Sequence, residues 1–182
     1  PAGRVIAYEA NPRVADLLAR SIRINGYAGR CKVERSAVSD RVGTVRFHCM
    51  NREQGNSTLR EIGSDVVAED VTVLDVPSTT LDTNFSNGAQ RIDVLKIDAE
   101  GAEPLILEGM QQTIGKNPDM VIVMEFAREM VRQTSGDPGA FLQAFQGHGY
   151  RFSVIMPSGA LKPVAADELL RLAHCDVVLQ RH

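Results

Sequence analysis

The chain has 182 residues, 43% of them hydrophobic, with 20 basic and 23 acidic side chains for a net charge of −3. This suits a single domain over 1–182 with an ordinary globular core. The scattered basic residues argue against a nucleic-acid partner or an anionic membrane, and no apolar run approaches the length of a membrane span.

Arg4 to Tyr8 reads as a short apolar strand ending at Glu9. Asn11-Pro12 then opens a helix whose Val14, Leu17, Leu18 and Ile22 share one face, and Asn25-Gly26 closes it. Cys31 to Ser36 alternates as a strand, with Ala37-Val38-Ser39 at its end. Thr44 to Cys49 reads as a strand pairing locally, 50 to 65 as a polar loop or lid, and Val71 to Val76 as a further strand before a polar stretch to Gln90.

The segment Arg91–Met110 (RIDVLKIDAEGAEPLILEGM) organises the rest. An apolar strand switches into the acids Asp98, Glu100 and Glu103 around Gly101, and a helix follows from Pro104. In open α/β sheets ligands sit outside such strand ends. Asp98 directly follows Ile97, where the strand should still be covered, and acids are rarely buried without a partner. Glu103 beside Pro104 reads equally well as a helix N-terminal acid. Met120 to Met124 is fully apolar and ends in Glu125, as expected of a central parallel strand buried on both faces. A helix from Asp137-Pro138 through Phe145, a strand Tyr150–Ile155, a short helix 165–173 and a strand Asp176–Gln180 complete the chain. The alternation predicts an α/β fold with a doubly wound, mainly parallel sheet.

Three acids, Glu9, Asp98 and Glu125, thus close three apolar strands and are expected along one sheet edge. Glu9 suits ribose hydroxyls at the end of a nucleotide-binding strand, and equally the turn chemistry before Asn-Pro. Cys31, Cys49 and Cys175 are too far apart for a zinc site and read as small buried hydrophobes. With no disulfide framework among them, a reducing, cytoplasmic setting is expected.

The segments VIAYEANPR (5–13), INGY (24–27), AVSDRVG (37–43), NST (56–58), TLD (80–82), DVLKIDAEGAEPLILEGM (93–110) and VIVMEF (121–126) resemble the FkbM family of S-adenosylmethionine-dependent methyltransferases. The resemblance implies a Rossmann-like class I methyltransferase fold, strand order 3-2-1-4-5-7-6, with the last strand antiparallel. It implies that Glu9 binds the cofactor ribose and that Asn11 shapes the turn beneath the adenosyl group. Ser36, Ala37 and Val38 would lie near the adenine, and Asp98 would face the methyl group and the substrate. The acceptor implied is a hydroxyl on a sugar, polyketide or related small metabolite. The family's first strand, glycine-rich turn and following helix would precede Arg4 and do not occur in this sequence. The chain is therefore expected to be a fragment lacking its first strand and helix, and to bind cofactor poorly.

A hydroxyl is a weak nucleophile at neutral pH, so a base or a metal should assist. Asp98 is the first choice of base, with Glu100 and Glu125 assisting, or the three acids together holding a divalent cation such as Mg²⁺. His48, His148, His174 and His182 have no partner at ligand or triad spacing and read as structural or exposed. Lys96 reads as pairing with a neighbouring acid. Rival readings are a degenerate methyltransferase fold kept for protein contacts, a metal-dependent hydrolase and a nicotinamide oxidoreductase. The acceptor and the oligomeric state stay open.

Overall fold

The computed structural model describes residues 3–52, 57–59, 70–86 and 91–181. These segments hold ten strands and seven helices. The first unit is β1 (Val5–Tyr8), α1 (Pro12–Ile24) and β2 (Cys31–Glu34). Asn11 starts α1 by accepting the amides of Arg13 (3.0 Å) and Val14 (3.4 Å), and Pro12 takes the first helical position. Gly26 ends it with φ +74°, a left-handed turn that a side chain would strain. β1 and β2 pair in parallel, forming a two-stranded sheet of their own.

A second sheet has the order β3-β5-β4, from β3 (Ala37–Val38), β4 (Gly43–Met50) and β5 (Val71–Thr79). The expected local pairing is present: β4 runs antiparallel to β5 from Gly43↔Ser78 to Met50↔Val71. The expected 50–65 loop falls largely on positions outside the described residues, as do 87–90 of the polar stretch before Arg91. That stretch begins with a short helix, α2 (Leu81–Asn84), instead of coil, because Thr80 accepts the Thr83 amide at 3.0 Å.

The largest sheet has the order β6-β7-β10-β8-β9, from β6 (Val94–Ile97), β7 (Val121–Ala127), β8 (Arg151–Ile155), β9 (Leu161–Val164) and β10 (His174–Gln180). Its helices are α3 (Glu103–Glu108), α4 (Gln111–Lys116), α5 (Arg128–Ser135), α6 (Pro138–Gly147) and α7 (Ala166–Leu169). Only β6 and β7 pair in parallel there; β10 returns antiparallel to both β7 and β8, and β8–β9 is an antiparallel pair. The expectation of a mainly parallel sheet is corrected accordingly: the architecture is mixed α/β in three sheets. The main core lies on this sheet, where Ile122, Met124, Phe126, Val177 and Leu179 meet Met110, Ile114, Val131, Leu142 and Phe145 of the helical layer.

β1 and β6 have one partner each among the described residues, β2 and β7. The Val5 and Glu9 amides donate to Arg30 and Glu34 carbonyls, at 2.8 and 3.0 Å. In a parallel ladder the intervening residues, Ile6 and Tyr8, then aim their backbone groups away from β2. By the same alternation the Val121 amide on the Asp93 carbonyl (3.0 Å) turns the backbones of Val94 and Lys96 away from β7. These open edges explain why β6 is not the covered strand its sequence suggests: Val94 is 61% exposed. β1 is similarly bare, with Val5 at 56%.

Candidate functional site

One cleft of about 1570 Å³ is walled on one side by β1 and its following turn and on the other by residues 91–100. Glu9, Ser36, Ala37, Val38, Asp98 and Glu100 all line it, although they come from three separate stretches of chain. Glu9 and Asp98, expected along one sheet edge, follow strands of two different sheets and both line this cleft. Asn11 and Glu125 are not among the lining residues. Asn11 is buried and acts from behind: its side chain caps α1, and its amide donates to Glu9 Oε1 at 2.8 Å. The turn reading of Glu9 therefore holds, and its side chain also lines the cleft. Burial pushes its carboxyl above the usual range, against the Asn11 and Ala10 amides, which favour the charged form.

The acids after β6 sit on a tight turn. Glu100 has φ +50° and Gly101 φ +94°, so the backbone passes twice through the left-handed region, which non-glycine residues rarely enter. Three side chains fix this shape. Glu103 is buried and accepts the amides of Ala99 (3.1 Å) and Gly101 (3.3 Å). Thr58 donates its hydroxyl to the Glu100 carbonyl at 2.7 Å, and Thr134 donates to the Gly101 carbonyl at 2.6 Å. Glu103 therefore works as a structural acid. Burial is the main reason its pKa is raised, with the amides pulling the other way.

Carboxylate oxygens of Asp98, Glu100 and Glu125 all lie within 4.8 Å of one another. The register explains this: Ile97 pairs with Met124, which puts Asp98 beside Glu125 one step further along. Asp98 is not buried, as its place after Ile97 suggested; its side chain is 51% exposed, because β6 has an open edge. Lys96 Nζ donates to Asp98 Oδ2 at 2.7 Å, the neighbouring-acid pair read from the sequence. Glu125 has a partner that the sequence concealed: His174 Nε2 lies 2.5 Å from Glu125 Oε1. Of the histidines, expected to have no partner at ligand or triad spacing, His174 thus meets a carboxylate, while His148 makes only an exposed contact, its Nε2 lying 2.8 Å from Gln111 Oε1. The His174 contact depends on β10 running antiparallel beside β7, with Asp176 opposite Glu125 and His174 opposite Ala127. No periodicity in the sequence announces that register.

Among the described residues Glu100 has no basic side chain in contact. Its pKa is raised, first by burial and then by Glu125, Asp98 and Glu103, with His174 acting in the opposite sense. The TLD segment also acquires a role. Asp82 accepts the Gln112 and Thr113 amides (3.0 and 2.7 Å) and the Thr113 hydroxyl (2.8 Å), so it caps α4, which has no capping side chain of its own. All three cysteines are free; Cys49 is buried and Cys31 and Cys175 are partly so.

The family model described as "Methyltransferase FkbM domain" matches residues 1–152. The chain belongs to the FkbM methyltransferase family. A relative, "Methyltransferase sdnD" of Sordaria araneosa, is 27% identical over 137 residues, which cover 62% of this chain and 53% of that protein. The chain thus spans about half the length of the curated relative it matches. No solved structure matches significantly. The FkbM match ends before β10, so His174 lies outside the matched segment. No helix among the described residues is long and apolar enough to cross a membrane.

Proposed function

We propose that this FkbM chain provides the greater part of an S-adenosylmethionine-dependent O-methyltransferase acting on a hydroxyl of a small metabolite such as a sugar or polyketide. The observation that carries this reading is the convergence of Glu9, Ser36–Val38 and the Asp98/Glu100 turn on one cleft, in a chain of this family. These residues fit the cofactor. Glu9, fixed by the Asn11 amide, presents a carboxylate suited to ribose hydroxyls, and Ser36, Ala37 and Val38 provide a small, partly apolar wall for a base. Carboxylates at Asp98 and Glu100 suit a sulfonium. When bound, the cofactor supplies an electrophilic methyl group. The chain's own tasks are to orient the acceptor and to take up its proton. Glu100 is suited to the second, since buried surroundings and neighbouring acids raise its proton affinity. Asp98, paired to Lys96, is suited to orientation.

The class I arrangement is part of the same reading. The run β6-β7-β10-β8 follows the order expected of strands four, five, seven and six, and β10 has the antiparallel sense. We further propose that one more strand, with its glycine-rich turn, belongs between β1 and β6. The facing open edges support this. So does a cleft larger than the roughly 300–1,000 Å³ that small-ligand sites occupy.

Calorimetric titration with S-adenosylhomocysteine tests these statements separately. The 182-residue chain should bind saturably but more weakly than micromolar, and Glu9→Ala should weaken that about tenfold, the loss of roughly one hydrogen-bonded contact. Submicromolar binding would refute the incomplete cleft. No saturable binding by the folded chain, or an unchanged Kd in Glu9→Ala, would refute the cofactor role of this rim and favour a fold kept for protein contacts.

A further inference from the structure

Three carboxylates within 4.8 Å of one another would ordinarily suggest a site for a hard divalent cation, which takes six or more oxygen ligands. We infer instead that Lys96 and His174 occupy this cluster's cation positions, so that Asp98, Glu100 and Glu125 are held together by side chains of the protein and not by a metal ion.

The geometry is specific. Lys96 Nζ sits 2.7 Å from Asp98 Oδ2, two residues along the same chain direction and therefore on the same side of the strand. His174 Nε2 sits 2.5 Å from Glu125 Oε1, brought there by the antiparallel β7–β10 pairing. Two of the three acids thus already face a nitrogen donor. An entering ion would have to displace both donors, and the Lys96 ammonium would repel it. The donor set is otherwise poor for Mg²⁺ or Ca²⁺. On the same turn the Glu100 carbonyl accepts the Thr58 hydroxyl, and the Gly101 carbonyl that of Thr134. Glu100 has no basic side chain in contact among the described residues, and it stands beside the carboxylates of Asp98 and Glu125. The inference concerns the cluster itself and stands whether or not the acceptor is a metabolite hydroxyl.

Both basic side chains are more than half exposed, 57% for Lys96 and 56% for His174, so replacing them leaves the core untouched. The experiment is a titration of the chain with MnCl₂, followed by the loss of the free-ion electron paramagnetic resonance signal at neutral pH, repeated with CaCl₂ by calorimetry. The native chain should show no saturable binding below millimolar ion. The Lys96→Gln/His174→Gln double variant should bind Mn²⁺ at least tenfold more tightly, and adding Asp98→Asn should abolish the gain. Micromolar binding by the native chain would overturn the inference. So would a double variant with native circular dichroism and no gain in affinity. The single variant His174→Gln is the control for folding, since its amide can still donate to Glu125, and it should show a smaller gain than the double variant.

Discussion

Asp82 is the side chain whose removal should separate architecture from chemistry. It lies on α2, yet it serves the start of α4, some thirty residues on, by accepting two amides and the Thr113 hydroxyl. Met110, at the helix start, offers no side-chain cap. Asp82→Ala strips the cap, at a cost of about 0.5–2 kcal/mol. It also leaves the buried Thr113 hydroxyl without this acceptor, which costs a further 1–3 kcal/mol or so. A total of roughly 2–4 kcal/mol is expected, the middle of the range to which the two losses sum. For a chain of this size that corresponds to a fall in Tm of about 4–16 °C. Asp82→Asn keeps one oxygen for Thr113 but points a donor at Gln112, so it should lose only about 1 kcal/mol. Urea denaturation followed by circular dichroism measures both. If Asp82→Ala lost less than about 0.5 kcal/mol, the scale of an ordinary surface change, the cross-helix cap would be ornamental and the reasoning wrong.

Three other outcomes follow from the same contacts. A Cβ on Gly109 would lie 2.1 Å from the Ser39 carbonyl oxygen, a backbone atom that cannot yield, so Gly109→Ala should destabilise by at least about 3 kcal/mol in the same denaturation assay. Glu103, Glu100 and Glu9 all have raised pKa values in the fold; the stability tied to their protons is complete below the ordinary carboxylate range and is lost as pH rises through the folded values. The urea midpoint should therefore be higher at pH 5 than at pH 7.5. Glu103→Gln, which can still accept the Ala99 and Gly101 amides, should narrow that difference; an unchanged difference would remove Glu103 from the account. Glu129, held down to about 2 by Arg132, acts only at more acid pH. Finally, the Val94 and Lys96 amides should exchange hydrogen faster than those of Leu95 and Ile97 by on the order of a hundredfold, because only the latter pair face β7. Uniform protection along β6 would mean that its second edge is covered.

Much of the site was legible because the relevant signals are local. An apolar run that breaks into acids marks a strand end, and Asn11-Pro12 and Asp137-Pro138 mark helix starts with their capping oxygen and fixed φ; the structure has α1 and α6 at those places. What escaped depends largely on strand neighbours. The alternation of strands and helices suggested a mainly parallel sheet and gave no sign of β10, which is antiparallel and carries His174 to Glu125; only the family resemblance implied an antiparallel last strand. The exposure of Asp98 and Val94 follows from an open edge, and side-chain pattern does not encode which edges are filled. α5 was missed because its sequence, REMVRQTS, buries only Val131 and so offers little apolar periodicity. Asp82 and Glu103 carry the same carboxylate as the cleft acids, and only their hydrogen-bond partners separate scaffold from chemistry.

The two threonines clamped onto the carbonyls of Glu100 and Gly101 belong to stretches 42 and 33 residues away in the chain. Whatever displaces Thr58 or Thr134 must therefore drag the acidic turn along by its main chain. The position of these carboxylates is thus open to change from distant parts of the sequence while the acids themselves stay the same.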